Sequence, residues 1–163
     1  MRESIKLWLA EPEAYALRKI AWQFFVTLTF AGRVPGSKIR ISLVFAWLRD
    51  VARCTGSLHF LDLLWVFRYE IGKGGRGHFH LCIAGMPARA IGPDHRYAYE
   101  SLWSTRTRGL AAVAAYDPAR DGVGYMLKTP PRAIQNRAVA LSSGRDAGEP
   151  TLSKSVLALL RRR

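Results

Sequence analysis

The sequence predicts an α+β domain in which a central antiparallel sheet carries helices packed on one face. Three observations lead there. Residues 61–71 (LDLLWVFRYEI) and 78–84 (HFHLCIA) are alternating runs rich in β-branched and aromatic residues, joined by the glycine turn 72–77 (GKGGRG), and so read as a β-hairpin. Residues 22–30 (WQFFVTLTF) form a third strand of the same kind. Residues 38–54 place Ile41, Val44, Phe45, Leu48, Val51 and Ala52 at helical spacing, a stripe wide enough to cover a sheet. The chain has 163 residues, of which 49% are hydrophobic and 23% charged, enough for one compact core.

Residues 3–20 read as a helix with a break or restart at Pro12 and Glu13, its apolar positions including Leu9, Leu17 and Ile20. In the strand that follows, alternation puts Phe24, Val26, Leu28 and Phe30 on one face and Gln23, Phe25, Thr27 and Thr29 on the other. Residues 32–36 are a turn, Ser37 is the expected N-cap of the next helix, and Gly56 closes that helix. Beyond the hairpin and an irregular stretch, residues 94–107 read as a helix capped by Asp94. Residues 110–116 read as a short strand, and 123–128 as a helical turn stopped by Pro130 and Pro131. Residues 1–130 are therefore expected to form the domain. Residues 131–163 are expected to be a basic linker with a short tail helix from Ser153.

The formal charge is +13, from 25 Lys and Arg against 12 Asp and Glu, and the excess is shared between both halves of the chain. That balance suits a polyanionic partner. No run of apolar residues is long enough to span a membrane, and residues 1–10 lack the pattern of a secretory signal. The 2 cysteines, Cys54 and Cys82, form no disulfide framework, so a reducing, cytoplasmic location is expected.

The candidate chemistry centres on His78-Phe79-His80. In a strand both imidazoles project from one face, while Phe79 and Leu81 bury on the other. Glu70 ends the partner strand. If the hairpin pairs residues whose numbers sum to 150, Glu70 lies directly opposite His80. Trp65, Phe67, Tyr69 and Ile71 have to be core, which sends Glu70 and Arg68 to the polar face. Two imidazoles and a carboxylate make a three-ligand site with open positions. Such a site suits Mg²⁺ or Mn²⁺ when a phosphate completes the coordination, and it also suits non-haem iron or zinc. The competing reading pairs Glu70 with Arg68 or Arg76. His59 and His95 have no partners at ligand spacing and read as structural or exposed. In Tyr125-Met126-Leu127-Lys128 the tyrosine and lysine share a helical face, and a phenol near a cation or metal is a potential nucleophile. Tyr116 reads as core.

Taken in order, WQFFVTLTF, His78-Phe79-His80 and Tyr125-Met126-Leu127-Lys128 resemble the three motifs of replication-initiator (Rep) nucleases of the HUH superfamily, over roughly residues 20–130. The spacing of Glu70 and the helix containing Trp103 fit the same resemblance. It implies an RRM-like sandwich whose domain spans residues 1–130, with Glu70, His78 and His80 holding a divalent metal, Mn²⁺ or Mg²⁺. Tyr125 would be the single nucleophile and Lys128 would help place the scissile phosphate. Thr27, Thr29, Arg68 and Arg76 would contact DNA, with Phe25 and Trp22 as stacking candidates. The implied activity is nicking and joining of single-stranded DNA at a plasmid or phage replication origin through a 5′-phosphotyrosine. Unwinding and synthesis would fall to a host helicase and polymerase, since no helicase region follows. The alternatives are a non-catalytic single-strand-binding module, a small transposase or relaxase of the same superfamily, and an iron oxygenase using the same three ligands.

Overall fold

The structure is a computed structural model that describes residues 11–56, 59, 62–72, 74–127 and 150–161. Its elements run α1 (Glu11–Arg18), β1 (Phe24–Thr29), α2 (Ser37–Cys54), β2 (Leu64–Ile71), β3 (Gly77–Ala84), α3 (Pro93–Thr107), β4 (Ala111–Ala115), α4 (Gly122–Leu127), β5 (Thr151–Leu152) and α5 (Lys154–Arg161). The sheet order is β4-β1-β3-β2-β5 and every neighbouring pair is antiparallel. This is the expected α+β class, with an antiparallel sheet and its two long helices on one face.

Alternation explains the main core. Phe24, Val26 and Leu28 of β1, Trp65, Phe67 and Tyr69 of β2, and Phe79, Leu81 and Ile83 of β3 all bury on the face covered by α2 and α3. Against them α2 packs Val44, Trp47, Leu48 and Val51, and α3 packs Tyr99 and Trp103. Each such side chain contributes about 1.5–3 kcal/mol on full burial. The indoles also fix the layers, because a buried N–H needs an acceptor. Trp47 Nε1 donates to the Tyr99 carbonyl at 2.8 Å, and Trp103 Nε1 donates to the Thr29 carbonyl at 2.7 Å.

The opposite face is covered over part of its area by a second cluster. Val66, Cys82 and Ala84 of the sheet meet Leu17 of α1, Val123, Met126 and Leu127 of α4, and Val156 of α5. Trp22 is buried here, its Nε1 donating to the Leu17 carbonyl at 2.8 Å, so it offers no stacking surface to a ligand. Phe25, Thr27, His78 and His80 stay half-buried beyond this cover.

Several element ends differ from the sequence reading. Ser37 is the first helical residue of α2 and not its cap, because the Gly36 carbonyl already accepts the Arg40 N–H at 3.0 Å. Gly92 is the N-cap of α3, with Pro93 at the first helical position; Asp94 sits in the first turn, where its charge meets the positive helix end. The C-terminal segment does more than form a tail helix. Leu152 pairs with Val66 and Thr151 with Phe67, which adds the fifth strand. The linker at 131–149 and the expected helical residues 3–10 lie outside the described residues. Among the described residues no helix is long and apolar enough to cross a membrane.

The hairpin register also differs. Glu70 pairs with His78, and Arg68 with His80. Gly77 enters β3 opposite Ile71, and the turn closes with the Gly72 N–H on the Arg76 carbonyl at 2.9 Å. The Tyr69 ring lies over Gly77, where a Cβ would stand 1.9 Å from the phenol oxygen. That packing pulls Gly77 out of the loop and into the strand. The shift is an even number of residues, so every side chain keeps its expected face.

Candidate active site

Glu70, His78 and His80 meet on the partly open face of the sheet. They form a group whose possible ligand atoms all lie within 4.8 Å of one another. The two Nε2 atoms are 3.1 Å apart, and Glu70 Oε2 lies 3.7 Å from that of His80 and 3.9 Å from that of His78. Each imidazole is held from behind. His78 Nδ1 donates to the Arg76 carbonyl at 3.2 Å, which leaves the Nε2 lone pair of the neutral ring facing inward. His80 Nδ1 is 3.0 Å from Thr27 Oγ1. A hydroxyl can donate or accept, so Thr27 lets His80 present Nε2 either as an N–H toward His78 or as a lone pair. Thr27, which the sequence reading placed on a DNA-binding floor, thus pairs with His80.

Burial, then the neighbouring His78, then Arg68 pull the His80 imidazole down to about 4. It is neutral at physiological pH, which is the form that binds a metal. The donor set fits a divalent cation, since two imidazole nitrogens and a carboxylate oxygen converge within 4.8 Å of one another. Mixed nitrogen and oxygen ligation of this kind accepts Mn²⁺, Mg²⁺, Fe²⁺ or Zn²⁺.

Arg68 stands behind the carboxylate. It is 2% exposed, its Nη1 donates to the Met126 carbonyl at 2.7 Å, and its Nε lies 3.4 Å from Glu70 Oε1. Burial lowers the pKa of its guanidinium, and Glu70 and Tyr125 oppose that shift. Its guanidinium, which the sequence reading offered to DNA, is thus enclosed against Met126 and Glu70. The pairing of Glu70 with Arg68 coexists with the ligand geometry, because the two use different carboxylate oxygens.

Tyr125 approaches from α4. Its hydroxyl donates to Glu70 Oε2 at 3.1 Å, and its ring stands edge-on to His80, 5.4 Å between centroids at 87°. Burial, then the charge of Glu70 and the hydrogen bond to it, raise the tyrosine's pKa, while Arg68 opposes. The group is therefore a phenol with its proton aimed at a carboxylate. The approach depends on two glycines. A Cβ on Gly122 would stand 2.6 Å from the Phe25 ring, and one on Gly124 would stand 1.9 Å from Asp121 Oδ2. Asp121 fixes the helix start. Its Oδ1 accepts the Gly124 N–H at 3.0 Å, its carbonyl accepts the Tyr125 N–H at 2.9 Å, and Arg18 Nε holds its carboxylate at 3.1 Å.

The other expected residues fall as follows. Thr29 Oγ1 donates to the Leu110 carbonyl and accepts the Leu110 N–H, both at 3.0 Å, so its hydroxyl is committed to the entry of β4. Arg76 is exposed and lends its backbone carbonyl to His78. Tyr116 is half-buried against the second cluster, its hydroxyl accepting the Val123 N–H at 3.5 Å. His95 stands against Tyr99 and His59 is exposed; neither joins the cluster. Lys128 lies outside the described residues. Sequence reasoning missed Arg18 and Asp121, which sit far apart in the chain, and it missed Phe25 as the ring stacked on His80 at 5.4 Å. Only the last had a signal, since Phe25 was already on the polar face of β1.

No protein-family model matches the chain, no curated protein matches it, and no solved structure matches it.

Proposed function

We propose that this chain is a metal-dependent tyrosine nuclease that nicks and rejoins single-stranded DNA, of the HUH replication-initiator type. The observation that carries the reading is the position of the Tyr125 hydroxyl, 3.1 Å from Glu70 Oε2, an oxygen that itself lies 3.7 and 3.9 Å from the two histidines. A nucleophile and a three-residue ligand set therefore share one point on a chain of charge +13. Glu70, His78 and His80 would hold Mn²⁺ or Mg²⁺, which when bound would polarise the non-bridging oxygens of a phosphodiester. Tyr125 Oη attacks phosphorus and its proton passes to water. The bond to the 3′ oxygen breaks, and that oxygen takes up a proton to leave as a free 3′-hydroxyl. The 5′ phosphate stays on the tyrosine, and attack by a 3′-hydroxyl reverses the step and rejoins the strand. Arg68, whose Nε lies 3.4 Å from Glu70 Oε1, orients that carboxylate. The biological setting in this reading is the cytoplasm, at a plasmid or phage origin, where the freed 3′ end primes a host polymerase and a host helicase opens the duplex.

The test is a randomised pool of labelled single-stranded oligonucleotides incubated with the protein and Mn²⁺, followed by denaturing electrophoresis and mass spectrometry. The expected result is a protein–DNA adduct on Tyr125 that Tyr125→Phe abolishes and Tyr116→Phe retains. His78→Ala and His80→Ala should each abolish both adduct and nick while DNA binding persists, because phosphate contacts come mainly from Arg and Lys. Cleavage without an adduct would replace the tyrosine mechanism by metal-assisted hydrolysis. Binding without any cleavage would leave a non-catalytic single-strand-binding module.

A further inference from the structure

Beside the tyrosine lies a cavity that the proposed phosphodiester chemistry does not itself use. It measures about 390 Å³, within the size range of small-molecule sites, and opens between β4 and α4 with His80 and Tyr125 in its wall. Two aromatic rings, Phe25 and Tyr116, line it together with Ala114 and Gly122. Gly122 has to be small, since a Cβ there would stand 2.6 Å from Phe25 and 3.2 Å from Tyr116. Ala114 pairs with Phe25 across the sheet and is exposed, so the fold does not need a small side chain there. At the rim Asp117 and Arg120 offer an acceptor and a donor, with Arg120 Nε 3.7 Å from Asp117 Oδ2.

We propose that this cavity binds one nucleobase of the single strand, stacked on Phe25 and Tyr116, and so seats the nucleotide beside the scissile phosphate. The inference rests on the nuclease reading for the identity of the strand. The phenol has to come within about 3–3.5 Å of phosphorus in the reacting complex. A base attached to that nucleotide lies within reach of the Tyr125 wall, and this cavity is lined by two further aromatic rings. Stacking on such rings tolerates any base, and the rim pair adds contacts to the base edge. Phe25 also stacks on His80 at 29°, so a seated base extends the stack that holds a metal ligand.

The test uses fluorescence anisotropy in a Tyr125→Phe background, which prevents cleavage. The probes are labelled decamers of deoxythymidine, deoxyadenosine and deoxycytidine, and an abasic decamer with the same number of phosphates. The base-bearing strands should bind about 5- to 100-fold more tightly than the abasic one. Ala114→Leu, which fills the cavity from the exposed edge strand, should shrink that ratio severalfold and leave abasic binding unchanged. Ala112→Leu is the control. It lies on the same face opposite Thr27 and outside the cavity lining, and should leave the ratio intact. An unchanged ratio in Ala114→Leu, or an equal loss for the abasic strand, would overturn the base-binding inference. Nicking of the randomised pool by the Tyr125 protein is scored separately. Its absence alongside a cavity-dependent ratio would remove the nuclease reading and leave the base site standing.

Discussion

Replacing Arg68 by methionine separates a positioning residue from a DNA contact. Methionine keeps the apolar length of the stem and removes the bond to the Met126 carbonyl at 2.7 Å and the contact with Glu70 Oε1 at 3.4 Å. Removing one partner of a buried pair costs about 3–5 kcal/mol, because the other charge is left enclosed without its counterion. Each kcal/mol moves the midpoint of a domain of this size by roughly 2–4 °C, so Tm should fall by about 10 °C. Glu70 also loses the group that orients it, and outer partners of metal ligands commonly account for about 10- to 100-fold in affinity. Thermal unfolding, calorimetric titration with Mn²⁺, and anisotropy with a labelled single strand over a range of salt give the three readouts. Tm and Mn²⁺ affinity should fall together. The salt dependence of DNA binding should not change, since a side chain 2% exposed neutralises no phosphate. If Arg68→Met keeps the wild-type Tm and Mn²⁺ affinity and instead flattens the salt slope, Arg68 is a DNA contact and the argument fails.

The His80 imidazole is depressed to about 4 in the fold and titrates near 6.5 when unfolded. Between those values the unfolded chain binds the extra proton, so stability should drop as pH falls through that window, by up to about 1.4 kcal/mol per unit. Urea midpoints measured across the window check this, and a His80→Gln profile as steep as wild type would refute it. Asp121→Ala removes the acceptor for the Gly124 N–H and the partner of Arg18. The ion pair is exposed and contributes little, while the lost cap should cost about 1 kcal/mol. Adduct formation should fall by much more than that stability loss implies, because α4 aims Tyr125; a rate that tracks Tm alone would contradict this. Gly109→Ala should destabilise by about 1–3 kcal/mol or more, since its Cβ would meet the Thr29 carbonyl oxygen at 1.9 Å and backbone on both sides has to shift. A wild-type chemical-denaturation midpoint would show that the β1–β4 junction is looser than described.

Alternation along β2 and β3 was enough to place Glu70, His78 and His80 on one face, because the period of a strand is local and survives a register change of two. The stripe on α2 identified its buried side for the same reason. The pairing of Glu70 with His78 was not legible, since it depends on Tyr69 packing over Gly77, a contact between strands. Neither was the fifth strand, because two residues have no period and Thr151–Leu152 is defined by the edge it joins. Arg68 read as a surface cation from its type. What encloses it is the Met126 carbonyl, 58 positions away, and the phenol reaches Glu70 across 55. Side-chain direction within an element follows from local backbone geometry. The distance between the Tyr125 phenol and the Glu70, His78 and His80 cluster follows from how separate elements pack, and for α4 that packing turns on two glycines and an Arg18–Asp121 contact spanning 103 positions.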